Sequence, residues 1–248
     1  MNVEFAAVVL APGLAVGSFL NVVAARIPLR RSIVSPGSAC PKCETSLAWY
    51  DNIPLVSYAV LRGRCRHCGV SISWRYPAVE AATAVLVACC ALKFGFTWDF
   101  LVAAAFCAVL VAISATDLER RIIPNRIVLP ATVVLLVAQT VLHPSVEWIL
   151  AGLAAAIAFL LVALAYPGGM GMGDVKLALL LGVVLGRTVS VALLVGMLTA
   201  LIPSFAVIAK HGKAGRKMTI PFGPFLAIGG VVALFAGASI LDWYWGAF

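Results

Sequence analysis

"GGMGMGDVKLALLLG", residues 168–182, sets a carboxylate, Asp174, after four glycines and at the head of an oily segment. The apolar run it opens, Val175 to Gly186, covers about a dozen residues, roughly 18 Å of helix at 1.5 Å per residue. A bilayer core is about 30 Å thick, so this run reads either as a short helix shielded by its neighbours or as part of a broken one. The rest of the chain decides the setting. Of 248 residues, 63% are hydrophobic and 11% charged, with a mean hydropathy of +1.07, whereas a soluble domain carries about a quarter charged residues. Backbone polar groups in lipid must pair within their own segment, so α-helix is expected throughout. The sequence therefore reads as an all-α polytopic membrane protein. Eight spans are expected: Phe5–Ala25, Ala78–Phe94, Phe100–Thr116, Ile127–Leu142, Val146–Tyr166, Val175–Gly186, Thr188–Ala209 and Pro221–Leu241. There is no internal repeat and no low-complexity segment in this reading.

A net charge of +8 would suit a nucleic-acid partner, but its placement argues for topology instead. Of 18 basic residues, 16 fall in or beside odd-numbered loops, and only Lys93 and Arg187 fall on the other side. The positive-inside rule then puts the odd loops in the cytoplasm and both termini outside. "MNVEF" lacks a basic n-region and carries Glu4, so an N-out first helix is expected rather than a cleaved signal peptide. The tract "KHGKAGRK", 210–217, reads as a solvated loop facing anionic lipid.

Asp117 closes the third span in "AISATDLERRIIPN", 112–125, and Asp174 opens the sixth, so both sit at one edge of the membrane. A carboxylate at a span end serves equally as a headgroup-level charge or, at Asp174, as the cap of a helix N-terminus. Two carboxylates at one depth can also act as a pair that shares a proton, one activating water while the other donates to a carbonyl. Gly168, Gly169, Gly171 and Gly173 remove side chains around Asp174. Such a loop, with Gly171 and Gly173 nearest the carboxylate, would let a substrate backbone approach, although glycine also serves helix packing in membranes. Neither His67, His143 nor His211 is placed for a Ser-His-Asp arrangement. A proton-coupled transporter also uses intramembrane carboxylates, but both aspartates lie on one edge rather than at the midplane between repeats.

"CPKC" at 40–43 and "CRHC" at 65–68 give two C-x2-C pairs separated by 21 residues. That spacing is close to a zinc ribbon, with Cys40, Cys43, Cys65 and Cys68 as ligands of one Zn²⁺. Two disulfides are the alternative, which a reducing cytoplasmic loop disfavours. The segment between the pairs is too short for a core of its own without a metal. Cys89, Cys90 and Cys107 lie in apolar runs and read as packing residues. Glu44, Asp51 and Glu80 are near the module, and nothing in their spacing selects one.

The chain resembles the prepilin peptidase (type IV leader peptidase) family along nearly its whole length. The resemblance rests on "GSFLNVVAARIP" at 17–28, the two cysteine pairs around "WYDNIPLVSYAVLRGRC", "RYPAVE" at 75–80, "TDLERRIIPN" at 116–125, "GMGDVKLALLLG" at 171–182 and "PFGPFLAIGG" at 221–230. It implies an aspartic endopeptidase with Asp117 and Asp174 as catalytic residues and a GxGD motif at Gly171–Asp174. It implies cleavage, after a glycine, of the basic leader of prepilins and pseudopilins of type IV pilus and type II secretion systems, at the cytoplasmic side of the bacterial inner membrane. It further implies N-methylation of the new N-terminal residue, usually phenylalanine, with S-adenosylmethionine. The expected organisation is a first transmembrane helix (1–25), a cytoplasmic tetracysteine module (26–77) and a membrane peptidase domain (78–248), with prepilins and lipid as partners and no nucleic acid. No glycine-rich site for S-adenosylmethionine is evident.

Overall fold

The computed structural model describes residues 2–166, 170–212 and 220–246. Gly168 and Gly169 of the opening stretch, and Lys213, Arg216 and Lys217 of the basic tract, lie outside the described residues. Among the described residues the fold is helical: α1 (Asn2–Arg26), α2 (Val56–Val60), α3 (Arg75–Phe94), α4 (Trp98–Arg120), α5 (Asn125–Leu142), α6 (Glu147–Ala165), α7 (Met172–Leu185), α8 (Val189–His211) and α9 (Gly223–Gly246). Seven helical stretches are long and apolar enough to cross a membrane, and one of them, Met172–Lys210, runs for 39 residues. That stretch is broken at Gly186–Thr188, so α7 and α8 are separate helices and each expected span has its own helix. The chain is a multi-pass membrane protein.

The break has a local cause. Gly186 ends α7 at φ +56, a left-handed conformation that costs glycine little. A Cβ there would collide with Glu147 Oε1, the atom that accepts the Arg187 N–H at 2.8 Å. Glu147, at the start of α6, thus fastens the turn. α7 is short but not exposed: Leu177, Ala178, Leu180 and Leu181 are fully buried. α5, α6 and α9 pack against it. A Cβ on Gly182 would lie 2.5 Å from Gly152 Cα, so α6 and α7 meet backbone to backbone, as small residues allow in membranes. Gln139 Nε2 donates to Val184 O at 2.8 Å and ties α5 to the same helix. The short sixth span is therefore a helix shielded by its neighbours.

The chain forms two compact units, Met1–Ala115 and Thr116–Phe248, and α4 runs through the boundary. In the first, α1 packs closely on α3: a Cβ at Gly17 would lie 2.6 Å from Glu80 Cα. The cysteine module, α1 and α3 share this unit. The second unit holds both aspartates.

Candidate functional site

The site in the second unit is made from helix ends. Asp117 lies in the last turn of α4 and is 5% exposed. Its Oδ2 accepts the N–H of Gly223, the first residue of α9, at 2.9 Å. A Cβ on Gly223 would stand 2.9 Å from that same oxygen, so only glycine leaves room for the carboxylate. After Asp117 the chain turns sharply at Arg121, φ +54, whose N–H donates to Asp117 O at 2.8 Å, and α5 begins at Asn125.

Asp174 lies in the first turn of α7. Its Oδ2 accepts the N–H of Gly171 at 3.2 Å while its own N–H donates to Gly171 O at 3.0 Å. Gly171 is the N-cap of α7, so Asp174 is not the cap residue the sequence allowed; from the third helical position its carboxylate answers the N–H of the cap, and the side chain remains partly exposed. Gly173 packs inward: a Cβ there would lie 2.9 Å from Ile123 Cβ. Gly171 has only Asp174 and the Gly173 backbone within contact distance of a Cβ, and is exposed. Lys176 Nζ donates to Asn125 Oδ1 at 2.8 Å, tying the head of α7 to the head of α5. Four helix ends, the C-terminus of α4 and the N-termini of α5, α7 and α9, therefore meet at the aspartates. Both aspartates belong to the same compact unit. Each helix N-terminus presents unsatisfied N–H groups and the positive end of a dipole, a setting suited to carboxylates and to a developing oxyanion. Gly223, Ile123 and Asn125 carried no assigned role in the sequence reading. "PFG" at 221–223 was visible only as a piece of motif.

The site in the first unit is made from turns. The four thiol sulfurs of Cys40, Cys43, Cys65 and Cys68 lie within 4.8 Å of one another, a group that suits a metal ion. Cys40 and Cys68 sulfurs are 3.7 Å apart, and those of Cys43 and Cys65 are 4.0 Å apart. The two knuckles share one hydrogen-bond plan. Cys40 N donates to Thr45 O and Glu44 N to Cys40 O, while Cys65 N donates to Val70 O and Gly69 N to Cys65 O. Bridges Ala39–Ser46 and Arg64–Ser71 close the two turns. The residue after each second cysteine is left-handed, Glu44 at φ +56 and Gly69 at φ +67. The sequence reading found no repeat. The structure reveals a local one, hidden because only the cysteines, not the residues between them, need be alike. Hydrogen bonds from Thr45 draw the Cys43 thiol down to about 6. Backbone N–H groups of Cys68 and His67 lower Cys65 as well. Burial and the three neighbouring thiols instead push Cys68 up to about 11, so the four do not ionise together unless a cation answers them.

Of the acidic residues near the module, Asp51 is clasped by Arg66, whose Nε reaches both carboxylate oxygens at 3.1 and 3.0 Å. Those bonds hold Asp51 below the usual carboxylate range. Glu80, in the second turn of α3, accepts the N–H of Leu55 at 2.9 Å. Leu55 has φ +59, an unusual conformation for a bulky side chain. The Glu44 N–H closes its turn on Cys40 O.

Known proteins match this arrangement in two blocks. Residues 11–94 match the bacterial peptidase A24 N-terminal domain, and residues 104–208 match the type IV leader peptidase family. A Bacillus subtilis protein named prepilin leader peptidase/N-methyltransferase is 34% identical over 236 residues, 94% of each chain. A Pseudomonas aeruginosa protein of the same name is 34% identical over 267 residues, covering 94% of this chain and 90% of its own. A Myxococcus xanthus protein, also so named, is 49% identical over 126 residues, 51% of this chain and 38% of its own. No solved structure matches the chain.

Proposed function

The chain belongs to the type IV leader peptidase family, and we propose that it is a bifunctional membrane enzyme that cleaves prepilin leader peptides with the Asp117–Asp174 pair and N-methylates the product. The observation that carries the peptidase reading is the gathering of four helix ends around these two carboxylates. One aspartate, ionised, takes a proton from water. Its protonated partner donates to the scissile carbonyl oxygen as the water oxygen bonds to carbon; the first aspartate then passes its new proton to the leaving nitrogen while the second takes back a hydroxyl proton, and the C–N bond breaks to release the amine. Gly223 N–H fixes the plane of the Asp117 carboxylate, and Gly171 N–H fixes that of Asp174. Gly171, exposed and without a side chain, leaves the approach to Asp174 open for a pilin backbone, and Gly173 holds the head of α7 against Ile123. Prepilins and pseudopilins combine a basic leader with an apolar stem. With the basic loops in the cytoplasm, the leader lies on that side, the stem in the bilayer, and the cut after glycine falls at the depth of the pair. On this reading both termini lie outside and the enzyme sits in the inner membrane.

The cysteine module takes one Zn²⁺. A tetrahedron with metal–sulfur bonds of about 2.3 Å has sulfur–sulfur edges of about 3.8 Å. Two of the six separations, at 3.7 and 4.0 Å, fit that figure, and all six lie within 4.8 Å. Four thiolates close the coordination shell, so the metal's role is to hold the module together rather than to bind water. S-adenosylmethionine supplies an electrophilic methyl group. The free amine of the new N-terminus forms the N–C bond as the S–C bond breaks, the electron pair returns to sulfur, and the extra proton on nitrogen leaves to solvent.

The deciding experiment is mass spectrometry of a prepilin peptide incubated with the purified enzyme and S-adenosylmethionine. The expected product is the cut peptide, heavier by one methyl. Cutting without methyl gain would remove the transferase half of the reading. Unimpaired cutting by folded Asp117→Asn or Asp174→Asn protein would remove that residue from the pair.

A further inference from the structure

A cavity of about 490 Å³ opens in the first unit between the end of α1, the start of α3 and the cysteine knuckles. That volume lies in the range of small-ligand sites, roughly 300–1,000 Å³. Its wall includes Asn21, Arg26, Tyr58, Arg66, Tyr76 and Glu80, and it reaches Cys40 and Cys65. Glu80 is 9% exposed, yet among the described residues no lysine or arginine forms an ion pair with it. The two arginines of the wall are engaged elsewhere. Arg26 donates to Ser32 O at 3.1 Å and to Gly37 O at 3.0 Å, and Arg66 is locked on Asp51. A buried carboxylate is stable as an anion only if a positive charge or enough hydrogen bonds answer it. Glu80 has the Leu55 N–H and a bond with the Ser18 side chain, but no positive partner. Two aromatic rings, Tyr58 and Tyr76, stand in the same wall, and such faces suit both a purine and a cation.

We propose that this cavity binds S-adenosylmethionine and that Glu80 answers its sulfonium charge. The inference rests on the N-methyltransferase reading above and deepens it by giving the methyl donor a place. It also gives the metal a reason. The knuckles form one wall of the cavity, so zinc that holds the knuckles holds the donor site.

The test is equilibrium binding of S-adenosylmethionine and of S-adenosylhomocysteine, the uncharged thioether, to full-length enzyme in detergent. Glu80→Gln keeps an acceptor for the Leu55 N–H and removes the charge. It should weaken S-adenosylmethionine roughly thirtyfold or more and S-adenosylhomocysteine by less than about threefold. Ala25→Phe, which fills part of the cavity, should weaken both. Metal content and elution volume verify that each variant is folded. In wild-type protein, bound S-adenosylhomocysteine should slow amide exchange across residues 51–58. Equal loss of both ligands in Glu80→Gln would overturn the charge pairing. Wild-type affinity in both folded variants, or no protection across 51–58, would overturn the cavity assignment while methylation of cleaved pilin continued to support the transferase. An enzyme that neither binds the donor nor methylates would overturn the transferase reading and this inference with it.

Discussion

Asp117 takes its hydrogen bond from Gly223, 106 residues away, whereas the Cys65 carbonyl takes its own from Gly69, four residues away. The two sites of this protein are built at opposite ranges. The carboxylate site exists only when four helices have packed and their ends have met. The cysteine site is written into two short turns that bring four thiols within reach of one metal ion. A chain of this kind can lose one site and keep the other, because what stabilises each is different in kind. The long-range site is sensitive to helix packing and indifferent to chelators. The short-range site is the reverse.

The largest effect that separates them is removal of either carboxylate. Asp117→Asn and Asp174→Asn should each lower cleavage by at least about a thousandfold, read by mass spectrometry of a prepilin peptide, while a cleaved pilin peptide supplied directly is still methylated. Parallel loss of methylation would show that the two sites are not independent. Next comes the metal. Cys40→Ser, or chelation, should cut methyl transfer by more than about a hundredfold and expose residues 38–72 to rapid amide exchange, because a structural metal supplies folding energy outright. Cleavage of prepilin should fall by less than about tenfold. A smaller loss follows from crowding the carboxylate. Gly223→Ala puts a Cβ 2.9 Å from Asp117 Oδ2 and should reduce kcat for cleavage roughly 10- to 100-fold, leaving metal content untouched.

Gly173→Ala tests what that glycine is for. Crowding Ile123 should cost cleavage about tenfold, with partial rescue by Ile123→Ala, which frees the loop to retreat. Failure of rescue in folded protein would give Gly173 a direct part in substrate approach. The smallest effect sits in a knuckle. Glu44 occupies a left-handed position that Gly69 fills in the other turn. Glu44→Gly should stabilise the module by under about 1 kcal/mol, seen as slower loss of metal to a competing chelator.

The same contrast of ranges explains what could be read from the sequence. The tetracysteine cluster was legible because its ligands come in two local pairs, and each pair brings its own turn. Asp117 and Asp174 were legible as carboxylates at span ends. Their partners were not. Nothing local to Gly223 says that its N–H meets a side chain of α4, and nothing local to Ile123 says that it fills the space beside Gly173. Such contacts are decided by how α4, α5, α7 and α9 pack, which hydrophobic periodicity leaves open. Glu80 was equally hidden. Its burial comes from Gly17 of α1 and its hydrogen bond from Leu55, 25 residues away. The helix break at Gly186 was foreseen as a span boundary, but the clasp by Glu147 that fastens it was not.

α7 has 14 residues, about 21 Å of helix, in a membrane whose hydrocarbon layer is about 30 Å thick. With its Gly186 end at one surface, its other end falls short of the opposite surface by roughly 9 Å. Hydrophobic mismatch of this size is ordinarily relieved by tilting or by thinning the bilayer. Here the helix is sheathed by α5, α6 and α9, so protein instead of lipid would border a shortfall of that size. A hydrolase consumes one water per turnover, and such a gap above Asp174 would be where that water waits. The length of one helix thus sets how far the aqueous phase reaches into the membrane, and acyl-chain length becomes a variable of the enzyme's kinetics.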